Sequence, residues 1–275
     1  MTSFPTIAGI VLTLNEEQDL HRALRSLSWC DELLVVDSGS NDLTSQIAEQ
    51  CGARFVQHIQ EPPFLITNQR NWALDHAGLT SDWALFLDAD EEIGSSLAQA
   101  IRSSINRSSF FTAYELTPRY WFLGKWLKFT QGFPNWHPRL LLRSAARFEG
   151  GVWECFSGNA SVSRISIPYE HYAFSKGLDD WIDRHQRYSS WDAQEINIYL
   201  QSSKLSTSRK AFLRKVVAHV WPLKPVLRFV QKYLFQLGFL DGWQGLLFCL
   251  LISFYDFMTV VKVIQERRIQ QGLPL

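Results

Sequence analysis

Cysteine is scarce and scattered in this chain. Cys30, Cys51, Cys155 and Cys249 form no Cys-x-x-Cys pair and no Cys/His spacing, which removes zinc ribbons and dithiol redox motifs and leaves free thiols of a reducing cytoplasm as the expectation. No Gly-x-Gly-x-x-Gly follows the first strand-like segments and no Gly-Lys-Ser/Thr loop occurs. Dinucleotide-binding and P-loop readings therefore lose their main support. A basic N-terminal region is missing as well, and the apolar segment Ile7–Leu14 is short and β-branched, so a signal peptide is not expected and the bulk of the chain is placed in the cytosol. Net charge is absent too, with 27 basic against 27 acidic residues. Its distribution is uneven: from Ile196 to Leu240 there is no Asp or Glu, while Lys204, Arg209, Lys210, Arg214, Lys215, Lys224, Arg228 and Lys232 are basic. The remainder is therefore net acidic.

What is present is an ordinary globular composition. A 46 % hydrophobic and 20 % charged chain of 275 residues is far from the disordered regime and long enough for one large domain with an extension. Ile7–Leu14 and Leu33–Val36 are near-continuous apolar runs, the pattern of strands buried on both faces. Leu20, Ala23, Leu24 and Leu27 recur at helical spacing, with Glu16 and Glu17 at the positive helix end. Asp42–Gln50, closed by Gly52, and Asn68–Ala77, closed by Gly78, read as helices; Arg54–Gln57 and Trp83–Leu87 read as strands. This alternation predicts an α/β fold with a doubly wound, mostly parallel sheet. A helix over Ser95–Asn106, an aromatic β-like stretch over Phe110–Tyr172 and long helices from Leu178 follow. The expected division is a catalytic domain over residues 1–175 and a helical region over 176–275.

In open α/β sheets ligands sit beyond the carboxyl ends of the strands. After the first strand stands Thr13-Leu14-Asn15-Glu16, and after the second Asp37-Ser38-Gly39-Ser40-Asn41-Asp42. The second segment reads equally as a nucleotide-gripping loop or as a turn and helix cap, since the same residue types serve both. After the fourth strand stands Asp88-Ala89-Asp90. Two carboxylates at this spacing can bind a hard divalent cation that clamps a diphosphate, or can simply cap the strand end.

Taken in order, these segments, with Gln69-Arg70-Asn71-Trp72-Ala73-Leu74 and Leu87-Asp88-Ala89-Asp90-Glu91, resemble family 2 glycosyltransferases of the GT-A fold. The stretches Arg119–Trp126, Pro134–Leu140 and Gly151-Val152-Trp153-Glu154 extend the resemblance to a subgroup similar to lipopolysaccharide core glucosyltransferases, where Trp153 replaces the usual His. The resemblance implies that Thr13, Asn15, Glu16, Asp37, Ser38, Gly39, Ser40 and Asp42 line the donor pocket, with Arg70 near the base or phosphates. It implies that Asp88 and Asp90 hold ribose and the Mn2+ or Mg2+ bridging the diphosphate, and that Glu154 is the catalytic base; should Glu154 fail, Glu149 is the next candidate. Trp121, Trp126, Trp136 and Trp153 read as sugar-stacking faces or as core, and His137 and His171 are equally two-sided.

The C-terminal basic residues lead into Leu246–Ile252, and Asp256 interrupts the apolar stretch before Val260. The uninterrupted part falls short of the roughly twenty residues that a spanning helix wants. It fits a segment lying on an anionic membrane surface, with a spanning helix and a buried core or oligomer helix as the other readings; no nucleic-acid motif appears. The function implied is inverting transfer of a hexose from a nucleotide-diphosphate sugar to a lipid-linked saccharide or other membrane-surface acceptor. Two alternatives stand beside it: a polyprenyl-phosphate acceptor, and a non-catalytic membrane scaffold that keeps the fold.

Overall fold

The computed structural model describes residues 4–61, 64–107, 110–150, 154–201 and 220–275. Its first half alternates strand and helix: Ile7–Thr13 (β1), Leu20–Ser26 (α1), Glu32–Asp37 (β2), Thr44–Gln50 (α2), Arg54–Gln57 (β3), Ile66–His76 (α3) and Trp83–Asp88 (β4). Along β1, β2 and β4 successive apolar side chains divide between two cores. Ile7, Val11, Val35, Leu85 and Leu87 pack on one face with α1 and α2, while Ala8, Ile10, Leu34, Val36 and Phe86 pack on the other with Ala73 and Leu74 of α3. Strands buried on both faces need apolar side chains at every position, which is why their sequences run without alternation. Gly52 and Gly78 close α2 and α3 at φ +72° and +62°, where a Cβ would be strained.

Glu91–Glu92 (β5), Ser95–Arg107 (α4), Ala113–Phe122 (β6), Lys125–Trp126 (β7), His137–Leu142 (β8), Phe148–Glu149 (β9), Cys155–Phe156 (β10) and Val162–His171 (β11) follow. The main sheet has the order β3-β2-β1-β4-β8-β6-β11-β5, with β7 paired to β6 off this path. Neighbours from β3 to β4 are parallel, but β8 lies antiparallel to both β4 and β6. The parallel character is thus concentrated in the first four strands. Beyond them the pairing is mixed, with β11 parallel to β6 and antiparallel to β5. Strands β9 and β10 form a separate two-stranded sheet.

The chain divides into two compact units, residues 1–121 with 133–175, and residues 122–132 with 176–275. Residues 122–132 therefore group with the helical unit, although the sequence places them inside the catalytic domain. Buried Asp241 explains this, because its carboxylate accepts the backbone N–H groups of Phe129 and Thr130 and the Thr130 hydroxyl. The second unit contains Gly177–Gln201 (α5), Lys224–Val230 (α6) and Gly242–Gln270 (α7). The long helical pattern is broken by a 3-10 turn at Trp221–Leu223, a π turn at Gln231–Phe235 and a second 3-10 turn at Gly238–Asp241. Lys204, Arg209, Lys210, Arg214, Lys215 and Trp153 lie outside the described residues.

Candidate active site

At the carboxyl edge of the parallel strands, the loops after β1 and β2 are stapled together. The backbone N–H groups of Asn15 and Glu16 donate to Ser40 Oγ and Thr44 Oγ1, and Asn15 Oδ1 accepts the Asn41 N–H. Asn15 adopts φ +57°, a left-handed conformation that asparagine tolerates better than most residues. Asp42 accepts the N–H groups of Glu17 and Thr44, tying the first loop to the start of α2. Asp37 is fully buried and accepts from Thr13 Oγ1 at 2.8 Å, Ser40 Oγ at 2.5 Å and the backbone of Gly39 and Ser40 at 2.9 and 2.8 Å. Burial works against its ionisation, but the hydrogen bonds from Ser40, Gly39 and Thr13 outweigh it and hold the carboxyl below its ordinary range. Asp37 therefore shapes the turn. Ser38 Oγ accepts from Gln69 on α3, and Gly39 at φ +107° packs where a Cβ would meet Ile59.

A charged cluster lies at the end of β4. Arg70, only 2 % exposed, donates through Nη1 to Glu154 Oε2 at 2.7 Å and through Nη2 to Asp88 Oδ1 at 3.4 Å. Its guanidinium lies over Phe86 and Phe148. Arg139 of β8 reaches Asp88 Oδ2 at 2.8 Å and Glu91 Oε1 at 2.6 Å. Burial opposes the charge on Asp88, but Arg139 and Arg70 together hold its carboxyl far below the usual range. Glu91 has no exposure, and burial pushes it up to about 7. His171 Nε2 stands 3.4 Å from Asp90 Oδ2; burial opposes its protonation, and Asp90 more than restores it. His137 is driven to about 3 by burial and by Arg139. Glu154 is raised by burial against the pull of Arg70.

Residues 10–114 match the family model described as glycosyl transferase family 2. This segment is a family 2 glycosyl transferase domain. Over 273 residues the chain is 22 % identical to the lipopolysaccharide core biosynthesis glycosyltransferase LpsC of Rhizobium meliloti (strain 1021), covering 96 % of this chain and 94 % of the relative. Over 271 residues it is 26 % identical to the uncharacterized glycosyltransferase RT0209 of Rickettsia typhi, covering 94 % and 86 %. Among solved structures, glucosyl-3-phosphoglycerate synthase from Mycobacterium tuberculosis, in complex with Mn2+, uridine diphosphate and glucosyl-3-phosphoglycerate, matches at a TM-score of 0.44 and 18 % identity, over 61 % of this chain and 72 % of that one.

The candidate site joins Arg70, Asp88 and Glu154 through one guanidinium, and Arg70 is a buried bridge, not a pair on a helix surface. Asp90 pairs with His171 beside them. Thr13, Asn15, Glu16, Ser38, Gly39, Ser40 and Asp42 gather with Asp37 around the two stapled loops. Glu149 sits exposed on β9, paired in register with Cys155. Sequence reasoning gave no role to Arg139 or Glu91, although both stand inside the motifs that carry the resemblance. An arginine flanked by Pro138 and Leu140 in an apolar strand was the available signal, since a buried charge requires a partner. Among the described residues no three His, Cys, Asp or Glu side chains converge as a ready-made metal site.

Proposed function

We propose that this glycosyltransferase moves a hexose from a nucleotide-diphosphate sugar to a lipid-linked saccharide or other membrane-surface acceptor, with inversion at the anomeric carbon. The observation that carries the reading is the Arg70 bridge between Asp88 and Glu154. It sets a carboxylate base beside two buried guanidinium groups where a diphosphate would leave. Glu154 removes the proton of the acceptor hydroxyl, and burial makes it a stronger base than an exposed glutamate. The hydroxyl oxygen then attacks the anomeric carbon from the face opposite the departing nucleotide, so an α-linked donor gives a β-linked product. Arg70 and Arg139 place positive charge toward the leaving group.

Mn2+ or Mg2+ fits this site as a cation that arrives with the donor. Asp90 and the 37 % exposed carboxylate of Asp88 offer hard oxygen ligands, and His171 stands against Asp90. With no three-residue cluster among the described residues, the remaining ligands would be diphosphate oxygens and water. When bound, the cation would neutralise charge on the leaving diphosphate. The relationship to LpsC, a protein of lipopolysaccharide core biosynthesis, supports a saccharide acceptor at a membrane.

Glu154→Gln tests the assignment. The variant is expected to keep Mn2+-dependent binding of the sugar nucleotide and to lose transfer by about a hundredfold or more, the scale of general-base catalysis. Wild-type transfer by this variant would move the base elsewhere or make the acceptor an anion such as a polyprenyl phosphate.

A further inference from the structure

Helix α7 reverses the pattern of a soluble helix. From Trp243 to Ile264, every strongly exposed residue is apolar. Leu247, Leu250, Phe254, Phe257 and Val261 continue the stripe at alternating spacings of three and four, each at least 40 % exposed. The polar side chains face inward. Asp256 is fully buried and pairs with Arg228 Nε at 2.8 Å and Lys224 Nζ at 3.0 Å. The Tyr255 hydroxyl donates to Asp192 Oδ2 at 2.6 Å, Lys262 Nζ donates to Ser190 Oγ at 2.7 Å, and Asn197 Nδ2 donates to Glu266 Oε2 at 2.6 Å. Water would favour the opposite arrangement. Polar groups turned inward and apolar groups outward suit a hydrocarbon surrounding.

The helix is long and apolar enough to cross a bilayer by itself, but it is not by itself. Those inward contacts fasten it to α5, which exposes Asp179, Asp183, Arg187 and Glu195. A crossing helix would draw these charges into hydrocarbon, where each is strongly disfavoured. Leaflet contact is also broader than one helix seam, since Val226, Leu227, Leu234 and Phe235 are at least half exposed on α6 and the π turn, Phe235 to 80 %. The basic residues nearby are already engaged. Lys224 and Arg228 neutralise Asp256, and Lys232 Nζ donates to Thr130 O at 2.9 Å.

We propose that the second unit lies in one membrane leaflet, with α7 in the membrane plane and its Trp243–Ile264 stripe among the acyl chains, held mainly by apolar insertion. This deepens the membrane-surface acceptor of the proposed function, because it sets the enzyme on the lipid side of its substrate. The stretch from Ile196 to Leu240 carries no acid and includes Lys204, Arg209, Lys210, Arg214 and Lys215, so an anionic leaflet adds a smaller electrostatic attraction to the apolar insertion.

Flotation of the full-length protein with phosphatidylcholine vesicles, with and without phosphatidylglycerol, tests the proposal. Binding is expected to persist in molar salt, where charges are screened, and the variant L250S/F254S/F257S is expected to bind about a hundredfold more weakly, about fivefold for each half-exposed side chain. Its circular dichroism and sugar-nucleotide hydrolysis should match the wild type. Unchanged vesicle binding by the triple variant would overturn the proposal, as would complete release by salt. In a Cys155→Ser background, Q244C and Q271C, at the polar ends of α7, should react with an impermeant maleimide from the same side of the vesicle; labelling from opposite sides would mean a span. A wild-type dimer that ignores vesicles and is split by the triple variant would make the stripe a contact between copies. Absent hydrolysis with intact flotation would instead sink the transferase reading alone.

Discussion

Replacing Arg70 by Met should destabilise the first unit in a way that depends on pH. Arg70 is 2 % exposed, and methionine would keep its stem over Phe86 and Phe148 while removing the guanidinium. Asp88 would still be held by Arg139 at 2.8 Å, but Glu154, 14 % exposed, would lose its 2.7 Å partner. A buried carboxylate without a partner escapes by taking a proton. From an ordinary value of 4.5, protonation at pH 7 costs about 3.4 kcal/mol and at pH 5 about 0.8 kcal/mol, at 1.36 kcal/mol per unit. The folded variant would thus hold Glu154 above its unfolded value, so its penalty is nearly absent below pH 4.5 and grows as pH rises. Urea unfolding of wild type and variant at both pH values measures this, with an expected difference of at most about 2.6 kcal/mol between the two penalties, since burial already raises Glu154 in the wild type. A second variant, R70M/E154L, should recover most of the loss at pH 7. A penalty equal at pH 5 and pH 7, or no recovery in the double variant, would refute the bridge.

Two further perturbations probe the helical unit. Gly245→Ala would place a Cβ against the backbone oxygen of Gly238 and 2.8 Å from Asp241 Cβ; a loss of about 2 kcal/mol or more is expected in thermal unfolding, as for other overpacked sites. His185 stacks on Trp181 at 3.7 Å, its Nδ1 2.7 Å from Trp181 O, and burial lowers it to about 4 despite that contact. The folded form therefore refuses a proton that the unfolded chain accepts, so stability should fall as pH drops from 6.5 toward 4, by about 2–3 kcal/mol. His185→Phe keeps the ring and should flatten that part of the pH profile; an unchanged slope would show that His185 is not its source.

The alternating strands and helices were legible because their periods are local. A strand buried on both faces has to be apolar throughout, as Trp83–Leu87 is, and a glycine such as Gly52 or Gly78 marks a left-handed helix end wherever the chain folds. The positions of Thr13, Asp37, Asp88 and Asp90 followed from the same logic, since strand ends in a parallel sheet share one edge. What each side chain does there was not local. Asp37 bonds within its own turn, and Arg139, which is 51 residues from Asp88, reaches that carboxylate only because β8 pairs with β4. The bond from Arg70 to Glu154 crosses 84 residues. Likewise the acid-free stretch Ile196–Leu240 reads as a basic surface, yet Lys224 and Arg228 turn inward to Asp256. Sequence periodicity determines which residues can be buried, because burial follows backbone geometry. Which buried charge meets which partner was decided by tertiary structure, because a charge removed from water takes whatever counter-charge the packing brings within reach.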